Sequence, residues 1–215
     1  MFSDWVFEQT TGTPEAALTG TSPLADSSSL RLSFGTSGTN RGQAAYVVDS
    51  GVTLGMQKGV IRTLIQKVSG VDFEEFCAGI FCLAVDTDFG SNSSTDAYMA
   101  VFDTESQGIR LRLASITEGV GGITLATAPS LGFTNGVTKA LELEWNNDQV
   151  GIGGVHFIVR VGDMTDFSDL TEVISYVHPA NPTTNGYEGI VHINDLTTFT
   201  AAEWYFDNTT IYELV

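Results

Sequence analysis

Two glutamates in one strand-like segment have the spacing of a catalytic acid pair. Glu142 and Glu144 alternate with Leu141, Leu143 and Trp145. Because alternate side chains of a strand point to the same face, the two carboxylates are expected to lie side by side while Trp145 faces the core. A retaining glycosidase needs two carboxyl groups about 5–5.5 Å apart, and this spacing permits that arrangement. A solvated strand face that carries two glutamates is the simpler interpretation, and we favour it.

A second acidic pair could bind a metal ion. Asp86 and Asp88 are separated by one residue in a segment that continues into Gly90 and Asn92. Oxygen ligands at alternate positions suit calcium. A turn rich in Asp and Asn uses the same residues without metal, because their side chains hydrogen-bond to the local backbone. A calcium site at Asp86 and Asp88 is therefore one hypothesis beside a plain turn.

The cysteines and histidines do not form a recognisable reactive set. Cys77 and Cys82 are five positions apart in an apolar run, so they are expected to point to opposite faces of one strand and not to bridge. We interpret both as buried structural thiols. The three histidines, His156, His178 and His192, lie far apart and match no zinc-binding spacing, so each is expected at the surface or in a turn.

The elements that must position these residues are β-strands. Apolar and polar residues alternate with a period of two in five stretches, and the polar positions carry charge. The stretches are 30–32, 109–113, 141–145, 157–161 and 204–207. Five of the basic residues fall in strand-like segments, and we expect them to meet Glu142 and Glu144 across neighbouring strands. They are Arg31, Arg62, Arg110, Arg112 and Arg160.

The whole chain predicts an all-β fold. About a dozen strands are expected near 4–9, 29–34, 43–49, 59–68, 76–86, 97–103, 108–116, 122–126, 138–146, 154–161, 171–177, 187–193 and 203–214. Turn residues such as Asn135-Gly136 separate these segments, which is typical of a two-sheet antiparallel jelly-roll β-sandwich. Only 163–170 and 194–202 have the composition of a short helical turn. No linker interrupts the chain, so residues 1–215 are predicted to form a single domain.

The charge balance excludes some partners. Nine Lys and Arg stand against 26 Asp and Glu, which gives a formal net charge of -17. A nucleic acid or an acidic membrane would be repelled by this field. The segment Met1 to Trp5 lacks the basic and apolar regions of a secretory signal, so we expect synthesis in a cytoplasm without export.

The order of these segments resembles the concanavalin A-like lectin/glucanase (laminin-G-like) jelly rolls. The segments that carry the resemblance are 28–33, 97–103, 109–113, 141–145 and 204–214. The resemblance implies a calcium ligand at Asp207, because related carbohydrate-binding modules end on a similar Phe-Asp-Asn strand. The glucanases of this fold carry a Glu-x-Asp-x-(x)-Glu run, and the sequence that follows Leu141 departs from it. We therefore expect no catalytic residues and no cofactor beyond a structural calcium.

The favoured functional hypothesis is a structural assembly protein. A bacteriophage virion component fits several features of the chain, which is acidic, poor in lysine, all-β and expected to be made in a cytoplasm. It also has the bulky Phe2 near one end and apolar residues from Ile211 at the other. Such a component would decorate or cement a capsid or form part of a tail or fibre, with other virion proteins and copies of itself as partners. The alternative is a lectin-like module that binds a glycan, and the least favoured hypothesis is a polysaccharide hydrolase or lyase.

Overall fold

The computed structural model describes most of the chain. The described residues are 5–9, 14–20, 24–25, 29–34, 42–48, 57–70, 76–84, 97–115, 119–147, 154–179, 187–194 and 202–214. Asp86, Asp88 and the segment Met1 to Asp4 lie outside them. The predictions made for those residues are therefore not addressed by the structure.

Within these residues the chain forms fourteen β-strands. They are β1 (Trp5–Gln9), β2 (Pro14–Thr19), β3 (Ser29–Phe34), β4 (Gly42–Val48), β5 (Lys58–Ser69), β6 (Phe76–Ala84), β7 (Ala97–Asp103), β8 (Gly108–Ser115), β9 (Gly119–Ala128), β10 (Thr138–Asn146), β11 (Val155–Gly162), β12 (Thr171–His178), β13 (Tyr187–Asn194) and β14 (Ala202–Glu213). The described part contains no helix, and so none that could cross a membrane.

The strands form two antiparallel sheets of seven strands each. Sheet A has the order β1-β4-β13-β6-β7-β8-β9, and sheet B has the order β12-β11-β10-β5-β14-β3-β2. Several neighbours in each sheet are distant in sequence, as in a jelly roll, whereas β6 to β9 and β10 to β12 follow one another. The predicted all-β sandwich of two antiparallel sheets is confirmed.

The core lies between the sheets and follows the period-two pattern of the strands. Leu141, Leu143 and Trp145 of β10 face inward and are fully buried, as the alternation predicted. Aromatic side chains join the sheets: the ring centroids of Tyr98 and Phe157 are 4.3 Å apart. Burial of such large apolar side chains is the main stabilising contribution in a fold of this kind.

A second apolar cluster lies on the other face of sheet A. It contains Cys77, Phe81, Ala84, Ala97, Met99, Val101 and Val191, all buried. Cys77 belongs to this cluster, whereas Cys82 of the same strand belongs to the core between the sheets. Both are free thiols, so the prediction of two unbridged, buried cysteines on opposite faces is confirmed.

The structure differs from the sequence prediction at three places. The sequence analysis did not predict strand β2, because strands generally avoid proline and alanine, which occupy positions 14, 16 and 17. The structure places β2 at an edge of sheet B, with Pro14 as its first residue. The segment 163–170 forms turns and not a helix. His192, predicted at the surface, is fully buried.

Candidate functional site

The polar cluster on the outer face of sheet B is the candidate site. Its side chains come from four adjacent strands and one loop, and we call them the β10 face. They are Glu142 and Glu144 of β10, Arg160 of β11, Arg62 of β5, Tyr212 of β14 and Phe167 of the loop after β11. They lie outside the core because the apolar residues alternating with them fill it.

Arg160 joins the two glutamates through one nitrogen atom. Its Nη1 donates to Oε1 of Glu142 and to Oε2 of Glu144, each at 2.7 Å. The register explains this geometry, because Arg160 is directly opposite Glu142 on the neighbouring strand. Burial lowers the pKa of Arg160, but the hydrogen bonds to Glu144 and Glu142 outweigh that effect and raise it above its usual value. Arg160 thus stays charged.

The bridging guanidinium places a nitrogen atom between the two carboxyl groups of the predicted acid pair. A retaining enzyme keeps the reacting sugar carbon and the glycosidic oxygen between its two carboxyl groups. Here Nη1 of Arg160 lies between Glu142 and Glu144. The expectation that strand-borne arginines meet these glutamates is confirmed for Arg160, whereas Arg110 pairs with Asp103.

Arg31 and Arg62 also use partners other than the two glutamates. Arg31 lies 3.8 Å from Glu203. Arg62 is paired in register with Glu142, but its Nε donates to Oγ1 of Thr210 at 3.2 Å.

Arg62 is held between two aromatic rings. Its Cζ lies 5.0 Å from the ring centroid of Phe167 and 5.6 Å from that of Tyr212. Such contacts are electrostatic attractions between the cation and the ring faces. Tyr212 is 39% exposed, so part of its ring remains available to a ligand. Burial raises the pKa of the Tyr212 phenol, and the nearby Glu142 carboxylate adds to the effect, so the phenol stays protonated.

The loop between β11 and β12 positions Phe167. The carboxylate of Asp169 accepts the backbone N–H groups of Asp163 at 2.8 Å and Met164 at 3.0 Å. These hydrogen bonds lower the pKa of Asp169. Phe167 itself adopts a left-handed backbone conformation with φ 62°, and its N–H donates to the carbonyl oxygen of Met164. Lys139 anchors the start of the loop through Oδ1 of Asp163 at 2.5 Å.

The charges of the β10 face sum to zero although the chain is strongly acidic. Two carboxylates, Glu142 and Glu144, are matched by two guanidinium groups, Arg160 and Arg62. These six side chains therefore offer hydrogen-bond donors, acceptors and aromatic surface. This combination suits a neutral polyol, whose hydroxyl groups need both donors and acceptors and whose C–H faces pack on aromatic rings.

The predicted calcium ligand Asp207 is held by protein donors. Its Oδ2 accepts from Oγ of Ser29 at 2.9 Å and from the N–H of Ala25 at 3.1 Å, and its Oδ1 accepts from the N–H of Asn208 at 2.8 Å. No group of three His, Cys, Asp or Glu side chains in the described part of the chain could hold a metal ion. These described residues fit a hydrogen-bonded carboxylate better than a calcium site, and the calcium hypothesis remains a prediction.

Two titratable residues are buried although the sequence analysis did not predict their burial. His192 is fully buried in β13, and burial together with the charge of Lys67 lowers its pKa to about 3. Glu188, on the same strand, is 2% exposed, and burial raises its pKa to about 8. The neighbours of His192 are Val191 and Ile193, an uninterrupted apolar context that could have signalled a strand buried on both faces.

Comparisons with known proteins place the fold. No family model and no curated protein matches the chain. A crystal structure of the VIP36 exoplasmic/lumenal domain in its Ca2+/Man3GlcNAc-bound form matches with a TM-score of 0.56 and 12% identity, covering 100% of this chain and 86% of that one. The PL-14 alginate lyase from Aplysia kurodai matches with a TM-score of 0.61 and 12% identity over 99% and 92%.

An endo-beta-1,4-glucuronan lyase from the fungus Trichoderma reesei also matches, with a TM-score of 0.61 and 12% identity over 94% of this chain and 88% of that one. The chain therefore has the concanavalin A-like lectin/glucanase jelly-roll fold. The same fold serves a domain crystallised with Man3GlcNAc and two lyases, so it does not by itself distinguish binding from catalysis.

Proposed function

We propose that the protein binds a neutral oligosaccharide on the β10 face without cleaving it. The observation that supports this proposal is Arg62, fixed between Phe167 and Tyr212 beside two carboxylates that Arg160 bridges. The aromatic edges supply a surface for sugar C–H groups, and the charged groups supply hydrogen-bond partners for hydroxyls. Thr210 and the loop of Phe167 hold these groups in place before a ligand arrives.

The fold likeness is consistent with this proposal. VIP36, which shares the fold, has been crystallised with mannose-containing ligands. The lyases with the same fold act on polysaccharides according to their names. The bacteriophage virion hypothesis gains no support from these likenesses and stays a prediction. Carbohydrate binding is thus the better supported of the two hypotheses.

Absence of cleavage is part of the proposal. A catalytic acid pair must be free to exchange protons with the substrate, and Glu142 and Glu144 are both engaged by the same guanidinium nitrogen. Incubation of the protein with β-glucan, alginate or glucuronan should release no oligosaccharide. Turnover that disappears in a Glu142→Gln/Glu144→Gln variant would contradict the proposal.

A glycan array followed by titration calorimetry tests binding. Neutral oligosaccharides, with mannose oligomers as the first probes, are expected to bind the parent protein. Replacement of Tyr212 or Phe167 by alanine should weaken binding about fivefold or more, since stacking of a sugar on an aromatic ring contributes about 1 kcal/mol or more. Val177→Ala is the matched control, because Val177 is exposed to 38% on β12 but does not belong to the β10 face.

Two results would overturn the proposal. One is an array on which no glycan binds. The other is equal loss of affinity in Val177→Ala and Tyr212→Ala, which would place the binding elsewhere. Circular dichroism of each variant separates loss of binding from loss of fold.

A further inference from the structure

Strand β13 of sheet A begins with a buried acidic residue. Glu188 is 2% exposed, and its Oε1 has no hydrogen-bond partner within the described chain. It alternates along β13 with Ile190 and His192, which are buried between the sheets. A buried polar oxygen without a partner is uncommon, and a buried carboxylate without a counter-charge is strongly unfavourable. Glu188 is therefore stable in this position only as the neutral acid.

The pairing of β13 with β6 contains a bulge opposite Glu188. Two residues of β6, Cys82 and Leu83, lie opposite this single residue of β13. Leu83 has a left-handed backbone conformation with φ 54°, which residues other than glycine seldom adopt. Beyond the bulge, the described pairing consists of Tyr187 with Ala84, at the ends of both strands. This end of the ladder is thus held by few backbone hydrogen bonds.

The other neighbour of β13 does not extend the pairing. The described register of β13 with β4 begins at Gly189, opposite Val47. Tyr187 and Glu188 therefore precede the described pairing with β4. Local opening in folded proteins occurs most readily at strand ends with few backbone hydrogen bonds. The first two residues of β13 are accordingly the part of this strand that separates from the sheet most easily.

Cys82 is the ionisable group that faces Glu188 from β6. Its thiol is fully buried in the core, and burial, followed by the charge of Glu188, raises its pKa. On the next strand, β7, Tyr98 is paired in register with Cys82, and its Oη lies 2.9 Å from Nδ1 of His178 on β12. Burial also raises the pKa of Glu188 to about 8. The closed arrangement therefore retains the proton of Glu188 at neutral pH.

We propose that Glu188 is a pH-sensitive switch that controls a local opening at the start of β13. While Glu188 keeps its proton, Tyr187 and Glu188 stay packed against β6 and Cys82 is inaccessible. When the proton is lost to solvent, the carboxylate is stable only in water, so these two residues separate from β6 and uncover Cys82. The switch does not depend on carbohydrate binding at the β10 face, because Glu188 lies in the other sheet.

Opening is coupled to the loss of one proton. In the open state Glu188 is expected to have its ordinary pKa of 4.5, compared with about 8 in the closed state. The open fraction therefore rises about tenfold per pH unit between 4.5 and 8, and it is constant above 8. The start of β13 is most tightly closed in acid.

Thiol labelling measures this opening in the parent protein. The protein is treated with N-ethylmaleimide between about pH 5 and pH 9, and mass spectrometry of its peptides gives the labelling rate of each cysteine. Cys77 is the internal control, because it lies near the other end of the same pairing, opposite Ile193, and is also buried. Global unfolding exposes both thiols, whereas opening at the start of β13 exposes Cys82 alone. Cys82 is expected to react at least about tenfold faster than Cys77 at pH 8.

Two variants complete the experiment. Glu188→Gln resembles the protonated acid and cannot ionise. The Cys82 rate in the parent, divided by the rate in Glu188→Gln at the same pH, should rise about tenfold per pH unit up to pH 8 and then level off. This division removes the pH dependence of the thiol reaction itself. Glu203→Gln, on sheet B, is the matched control and should give the profile of the parent.

Equal labelling rates for Cys82 and Cys77 would mean that Cys82 reacts only through global unfolding, and would overturn the proposal. A parent-to-variant ratio that does not change with pH would overturn it as well. If Glu188→Gln does not fold, the labelling rate of glutathione at each pH supplies the same correction for thiol chemistry.

Discussion

His192 and Lys67 contact the same indole ring from opposite sheets. The imidazole centroid of His192 lies 6.0 Å from that of Trp204, and Nζ of Lys67 lies 6.0 Å from the Trp204 centroid. Nζ of Lys67 also donates to Oγ1 of Thr104 at 2.7 Å. Both side chains are fully buried, so the interior of the sandwich holds a cation next to a histidine that must remain neutral.

The buried His192 should make the protein sensitive to acid. Its pKa in the folded state, about 3, lies below its ordinary value of 6.5. Between those values the unfolded chain binds a proton that the folded chain excludes, so this contribution is fully present above pH 6.5 and is lost as the pH falls. We expect the free energy of unfolding of the parent, relative to His192→Gln, to fall by about 1.4 kcal/mol per pH unit below 6.5.

Urea unfolding of both proteins at several pH values between 4 and 8 measures this difference. The comparison with His192→Gln removes the contributions of all other titrating groups. Parallel pH profiles for the two proteins would mean that His192 titrates normally in the folded state, and would contradict the prediction.

Glu188 should have the opposite pH dependence. Its folded-state pKa of about 8 exceeds the ordinary value of 4.5, so the folded protein keeps a proton that the unfolded chain releases. Its Oε1 has no hydrogen-bond partner among the described residues. Stability is therefore lost as the pH rises from 4.5 to 8.

Glu188→Gln, which resembles the protonated carboxyl group, is expected to stabilise the protein. The gain should be near zero at pH 4.5 and should grow by about 1.4 kcal/mol per pH unit towards pH 8. Glu203→Gln, at a half-buried residue that lies near Arg31, is a control that should show no such gain. A Glu188→Gln protein less stable than the parent at pH 7.5 would argue against a neutral buried carboxyl group.

Local alternation in the sequence predicted the strands but not the partners of their side chains. Leu141 to Trp145 predicted both a strand and the inward direction of Trp145, because strand geometry alone determines side-chain direction. The pairing of Arg160 with Glu142 and Glu144 depends on which strands become neighbours, and Phe167 reaches Arg62 only through the turns of its loop. Such long-range contacts produce no periodic pattern in the sequence, so they could not be predicted from it. The burial of His192 produces no such pattern either.

Arg160 should stabilise the β10 face by bridging two carboxylates. Arg160→Met keeps an unbranched apolar side chain but leaves Glu142, whose side chain is 8% exposed, facing Glu144 without the ion pair to Arg160. We expect unfolding in urea to require about 1–3 kcal/mol less free energy than in the parent. Adding Glu142→Gln and Glu144→Gln to this variant should restore part of the loss. A single variant as stable as the parent would show that the bridge has no net effect.

The last strand should be needed for stability and for binding at the β10 face together. The end of β14 pairs with the start of β5, with Ile211 opposite Ile61, Tyr212 opposite Val60 and Glu213 opposite Gly59. One residue further, the N–H of Leu214 donates to the carbonyl oxygen of Lys58 at 3.3 Å.

Deletion of residues 211–215 would remove this pairing and expose the inner strand β5, so the free energy of unfolding should fall by at least about 2 kcal/mol. Tyr212→Ala separates the two effects, because it removes the ring from Arg62 while keeping the backbone pairing. That variant should fold as the parent does and bind glycan weakly. A truncated protein that unfolds at the same urea concentration as the parent would show that this end of β14 contributes nothing to the sheet.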